Sequence, residues 1–107
     1  MKELQKKIKE FCEKHNMDSP PEHRVLDTMS ELGEVAKEIL KMSNYGRKPF
    51  EPTEELKQEL KSELGDLLYS LITIANSFDI NLEEALNLVL KKYEKRLNNG
   101  TAGSESD

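Results

Sequence analysis

The chain has 107 residues and a formal net charge of −5, which is the size of one domain and a poor match for the polyanionic backbone of DNA or RNA. No run approaches the roughly 18 apolar residues that cross a membrane, and Met1 is followed by Lys2 and Glu3 where a secretory signal would continue towards an apolar core. A single Cys12 excludes an internal disulfide framework and makes a reducing cytoplasm the expected location.

Few aromatics, no Trp and many Glu, Lys and Leu predict a helical protein. The first helix is expected over residues 2–16, with Leu4, Ile8, Phe11, Cys12 and His15 along one face. Asp18, Ser19, Pro20 and Pro21 break it and start the second. That helix runs to about Met42, and its apolar positions Val25, Met29, Leu32, Ala36 and Ile39 alternate four and three apart. Residues 44–52 are a loop by their Gly and Pro content. Thr53 suits the N-cap of a third helix, with Glu54 and Glu55 in its first turn and its end near Phe78. Asn81 with Glu84 resembles a capping box for a fourth helix ending near Asn98, after which Gly100 is a stop signal. The expected architecture is all-α, four-helix bundle-like, with one domain over residues 1–98 and a polar, disordered tail over 99–107.

The pentapeptide Ser30-Glu31-Leu32-Gly33-Glu34 recurs as Ser62-Glu63-Leu64-Gly65-Asp66. Acids three apart on a helix leave the same side and repel, and an interior Gly costs roughly 1 kcal/mol relative to Ala. Helix two carries a stripe of Asp27, Glu31, Glu34 and Glu38. Helix three carries Glu59, Glu63 and Asp66, continued by Ser70, Thr73 and Ser77. The second stripe crosses a segment rich in Leu and Ile, so Glu63 and Asp66 are expected to be partly withdrawn from water. No Lys or Arg lies between Gly65 and Lys91 to pair with them locally.

Buried carboxylates must be paired, protonated or metal-bound. An all-oxygen set favours Mg²⁺, or Mn²⁺, over iron or zinc. A di-iron site would need Glu-x-x-His pairs, and the positions three beyond the first acids are Glu34 and Asp66. His15 and His23 have no partner at ligand spacing. The bland alternative is that each acid pair is a solvated helix face. Two matching pairs, one embedded in an apolar helix, weigh against it.

In combination, Glu31-x-x-Glu34 and Glu63-x-x-Asp66 resemble the motif of the MazG-like nucleoside triphosphate pyrophosphohydrolases. The flanks Val35-Ala36-Lys37-Glu38 and Leu67-Leu68-Tyr69 agree, as does Ile74-Ala75-Asn76-Ser77 followed by Ile80-Asn81-Leu82-Glu83-Glu84-Ala85. The resemblance covers about residues 20–97. It implies an all-α enzyme that hydrolyses a nucleoside triphosphate to the monophosphate and pyrophosphate. Mg²⁺ would be held by Glu31, Glu34, Glu63 and Asp66, in a homodimer or homotetramer. It also implies a basic segment on the last helix, where Lys92 and Arg96 stand. These two lie four apart on one face and are suited to the leaving pyrophosphate.

For the proton acceptor from the attacking water, Glu34 is the first choice and Glu38 the second, since both lie on the stripe. Tyr45, Phe50 and Tyr69 are aromatic groups able to stack on a base, or simply to pack. Two other readings stay open. One is a pyrophosphohydrolase of a nucleotide metabolite, such as a phosphoribosyl-ATP pyrophosphohydrolase. The other is a non-enzymatic helical module whose acids bind a basic partner.

Overall fold

A computed structural model describes residues 1–100 as four helices: α1 (Lys2–Lys14), α2 (Pro21–Lys41), α3 (Glu54–Ser77) and α4 (Leu82–Asn98). No strand occurs among them. The expected tail residues 101–107 lie outside the described residues. Helix α1 stops two residues sooner than its apolar pattern suggests, because Asn16 turns left-handed at φ +53°. Pro21 opens α2 at a position where its missing N–H is no loss. Thr53 Oγ1 accepts from Leu56 N at 3.2 Å and Asn81 Oδ1 from Glu84 N at 3.1 Å, so both expected caps are present.

Helices α2 and α3 form an antiparallel pair, with Lys41 beside Glu59 at one end and Glu31 beside Glu63 further along. Helix α1 lies on the C-terminal half of α3, where Phe11 meets Tyr69 edge-on at 6.4 Å. Gln5 pins this corner. Its amide nitrogen donates to Asn76 Oδ1 and to the Ile80 carbonyl, and its oxygen accepts from Leu82 N, an otherwise unpaired donor of the first turn of α4. Gln5→Ala leaves these groups without partners, and unfolding in urea is expected to show a loss of about 1–3 kcal/mol.

Helix α4 packs closely on none of the other helices. The radius of gyration is accordingly 17.2 Å, against about 13 Å for a compact domain of 100 residues. The hydrophobic core is small: Val35, Met42, Ile72 and Ala75 are its fully buried apolar members. Two expectations are corrected here. The apolar face of α2 is largely uncovered, with Met29 65% and Leu32 57% exposed. On α3, Leu64, Leu68 and Leu71 are exposed as well, although its composition suggested burial. In both helices the side turned to the neighbouring helix is the mixed, acid-bearing one, and the apolar side faces out of the chain.

Candidate metal centre

Along α2 a buried or half-buried line runs through Arg24, Thr28, Glu31, Val35 and Glu38 to Met42 at the C-cap, alternating four and three apart, which marks the side turned to α3. Leu56, Leu60, Glu63, Leu67, Ser70 and Ile74 repeat the pattern on α3. Glu31 and Glu63 thus lie on the contact line itself. Glu31, Glu63 and Asp66 each bring one carboxylate oxygen within 4.8 Å of the others. Glu31 and Glu63 are half-buried; Asp66 is exposed, which corrects its expected burial. Three residues beyond Glu63 is about 60° off the contact line, towards solvent.

This crowding has an electrostatic cost. Partial burial, and then the charges of Asp66, Glu31, Glu34 and Glu38, push the Glu63 carboxyl above its ordinary value of 4.5. Hard oxygen donors this close, with repulsion among them, fit a hard divalent cation.

Glu34 is outside the converging trio. It sits half-exposed at the rim, 4.0 Å from Lys37 Nζ, yet near enough to Glu63 to raise its pKa. Glu38 is buried and ion-paired: Lys41 Nζ lies 3.1 Å from its Oε1 and 3.7 Å from Glu59 Oε2. Lys41 first, and Glu59 after it, hold the Glu38 carboxyl below its ordinary value against the opposing effect of burial. A carboxylate stabilised in its charged form is a weak proton acceptor, which counts against Glu38 in that role.

Gly33 and Gly65 lie on the far sides of their helices, and a Cβ built on either meets no atom within 4 Å. Close packing within the chain therefore does not require them.

Lys92 is exposed on α4, whereas Arg96 is buried with its guanidinium 5.9 Å from the Tyr93 ring. Their shared face does not give them a shared environment. Tyr45 and Phe50 are exposed in the α2–α3 connection. Tyr69 is half-buried against Cys12, whose Sγ is 3.3 Å from its hydroxyl, and burial raises its pKa most. His15 packs its ring against Phe11 at 4.6 Å, and His23 is exposed.

Sequence alone did not single out Lys41, which holds Glu38, or Arg24, which lies on the contact line, is buried and donates to the Met17 carbonyl. The signal for Arg24 was its spacing, since 24, 28, 31, 35, 38 and 42 form one series through Glu31 and Glu38.

Residues 19–101 match the family described as the MazG nucleotide pyrophosphohydrolase domain. The chain is 46% identical over 66 residues to YpjD of Bacillus subtilis (strain 168), an alignment covering 62% of this chain and 57% of that protein. It is also 31% identical over 98 residues to YvdC of the same organism, covering 88% of this chain and 92% of YvdC. No solved structure matches significantly. A family match over most of the chain, on an all-helical fold with a converging carboxylate trio, makes this chain a member of the MazG nucleotide pyrophosphohydrolase family, whose enzymes generally depend on a divalent metal.

Proposed function

We propose that this chain hydrolyses nucleoside triphosphates between the α and β phosphates, releasing the monophosphate and pyrophosphate. The observation that carries the reading is the trio Glu31, Glu63 and Asp66 with oxygens within 4.8 Å. These three would hold Mg²⁺, with Mn²⁺ as a substitute, and Glu34 would join from the rim. Bound there, the cation neutralises phosphate charge and lowers the pKa of an attacking water. Glu63 is the anchor, because it stands between Glu31 and Asp66 at the meeting of the two helices and its neighbours disfavour its charged form without a counter-charge. Glu34 takes the proton in this scheme: it borders the trio, and Lys37 holds it only loosely. Lys41 keeps Glu38 and Glu59 charged and oriented beside the site. Lys92, exposed on α4, is proposed to receive the leaving pyrophosphate, with Arg96 positioned behind it.

The partner we infer is a second copy of the chain, as a homodimer or a homotetramer, since the apolar sides of α2 and α3 and much of α4 lie uncovered. Among the described residues no helix is long and apolar enough to cross a membrane.

Product analysis over a panel of nucleoside triphosphates, with Mg²⁺, with Mn²⁺ and with chelator, tests the reaction. Monophosphate plus pyrophosphate, formed only with metal, is expected. Diphosphate plus inorganic phosphate, or no turnover across the panel, would overturn the reading. Asp66→Asn keeps the size of the side chain and removes its charge. It is expected to lower kcat by more than about 100-fold, since loss of even an outer-shell group at a metal site costs 10–100-fold.

A further inference from the structure

Away from the carboxylates, a cavity of about 390 Å³ opens between α1, the α1–α2 connection and the C-terminal half of α3. That volume is in the range of small-molecule sites. Its wall includes two cations, Lys9 and Arg24, and two acids, Glu13 and Asp18, so the lining carries no net charge. Such a lining suits an uncharged polar body better than a polyphosphate. Thr73 and Ser77 reach the same wall from α3. They belong to the line Asp66, Ser70, Thr73, Ser77, so the cavity begins about two turns, or roughly 10 Å, along α3 from the carboxylates. A metal-binding acid cluster followed at that distance by a neutral polar cavity has the layout of a nucleotide, phosphates first and nucleoside after.

The hydrogen-bonding inventory of the wall is specific. Asn76 is fully engaged with Gln5, through both its oxygen and its nitrogen. Thr73 donates to the Ser70 carbonyl at 2.6 Å and Ser77 to the Thr73 carbonyl at 2.8 Å, which leaves their hydroxyl oxygens as acceptors. Arg24 is buried, and its bond to the Met17 carbonyl fixes the guanidinium in place at the cavity wall. A guanidinium has five donors and no acceptor; Arg24 gives one to the Met17 carbonyl and also interacts with the Tyr69 hydroxyl, two partners that use only part of that capacity at the cavity wall.

We propose that this cavity receives the nucleoside half of the substrate and that Arg24 reads a carbonyl oxygen on the base, which disfavours adenine, the common base without one. The proposal rests on the pyrophosphohydrolase reading above and adds the base preference and the residue that sets it.

The test is steady-state kinetics of the full chain with GTP, UTP, CTP and ATP, with inorganic tripolyphosphate as a base-free competitor. The wild-type chain is expected to use ATP at least about tenfold less efficiently than GTP, the discrimination of a good arginine–base contact. Arg24→Met is expected to remove most of that gap by raising KM for the carbonyl-bearing bases, with the inhibition constant of tripolyphosphate unchanged. Ser77→Leu, at an exposed position on the cavity wall, leaves the Arg24 anchor intact. It is expected to raise KM for every nucleotide while tripolyphosphate inhibits as before, and it decides the matter if Arg24→Met fails to fold. Equal use of ATP and GTP by the wild type overturns the assignment to Arg24. Unchanged nucleotide KM in both variants overturns the cavity. Absence of any turnover would sink the pyrophosphohydrolase reading instead. The cavity is then judged by calorimetry with GMP and AMP, where tighter GMP binding lost in Arg24→Met supports it and equal affinities overturn it.

Discussion

Glu63→Gln is expected to melt at a higher temperature than the wild type in chelator, and at a lower one in saturating Mg²⁺. Without metal, the charge of Glu63 is disfavoured by partial burial and by Asp66, Glu31, Glu34 and Glu38. The amide keeps the shape and removes the repulsion. With metal the balance reverses, because a cation bound only by the folded state stabilises it by RT ln(1 + [L]/Kd), about 2.7 kcal/mol at 100 times Kd. For a domain of this size that corresponds to a rise of the order of 10 °C in the wild type. The variant lacks the central ligand and is expected to show little of the rise. Its turnover is expected to fall more than about 100-fold, with helicity by circular dichroism retained. Differential scanning fluorimetry with and without Mg²⁺ reads the crossover. A variant that melts below the wild type in chelator, or that keeps the full Mg²⁺ shift, would show that the carboxylates do not form one site.

The same pair of proteins predicts a pH dependence. The folded-state pKa of Glu63 is raised, so its stabilising contribution is complete below the ordinary carboxylate range and is lost as pH rises through its folded value. In chelator the two proteins should therefore melt together at low pH. They should diverge in favour of Gln as pH climbs through and above the usual value of 4.5. Glu38 works in the opposite sense: its pKa is lowered by Lys41, and its contribution is lost as pH falls. It is common to both proteins, so the difference between them reports on Glu63 together with its repulsion by the neighbouring acids.

The helices were legible because their signals are local. A period of 3.6, a Pro-Pro break, Thr53 and Asn81 as caps and Gly100 after the last turn all act within a few residues. The trio was legible for a related reason: Glu31 and Glu63 head matching pentapeptides on consecutive helices, and an antiparallel hairpin brings such positions opposite one another. The roles of Glu34 and Glu38 were harder to separate. Seven residues come closer to two full turns than three come to one. Glu38 thus returns to within about 20° of Glu31, whereas Glu34 falls about 60° away. That places Glu38 on the buried line and Glu34 at the rim, the reverse of what proximity in sequence suggests. The spacing of Arg24 placed it on the buried line, but its cavity setting was illegible because the facing wall comes from the C-terminal half of α3, some fifty residues away in sequence. What periodicity could not convey is the identity of the surface that an apolar face meets.

On α2 the strip Met29, Leu32 and Ala36 lies about 100° around from the line of contact with α3. On α3, Leu64, Leu68 and Leu71 lie at a similar angle in the same sense. Because the helices are antiparallel, the two strips fall on the same side of the hairpin and make one apolar surface, with Glu34, Asp66 and Glu59 on the opposite side. A second unpartnered stripe, Leu86, Leu90, Tyr93 and Leu97, runs along α4. Single chains rarely leave surfaces of this kind in water. The 12.3 kDa chain is expected to elute, by light scattering, at two or four times its mass. Leu32→Glu together with Leu68→Glu should reduce it to the single-chain mass. Each buried Leu contributes roughly 1.5–3 kcal/mol, so the melting temperature should drop by at least about 10 °C, and that of the wild type should rise with protein concentration. Gly33→Ala separates a covered helix side from a free one. Within the chain its Cβ meets nothing, so a free side predicts stabilisation of about 1 kcal/mol from helix propensity. Destabilisation of the assembly, with the mass shifted downward, places a partner chain against it. A wild-type protein of single-chain mass at all concentrations would refute self-association and leave the small core of Val35, Met42, Ile72 and Ala75 to hold the fold alone.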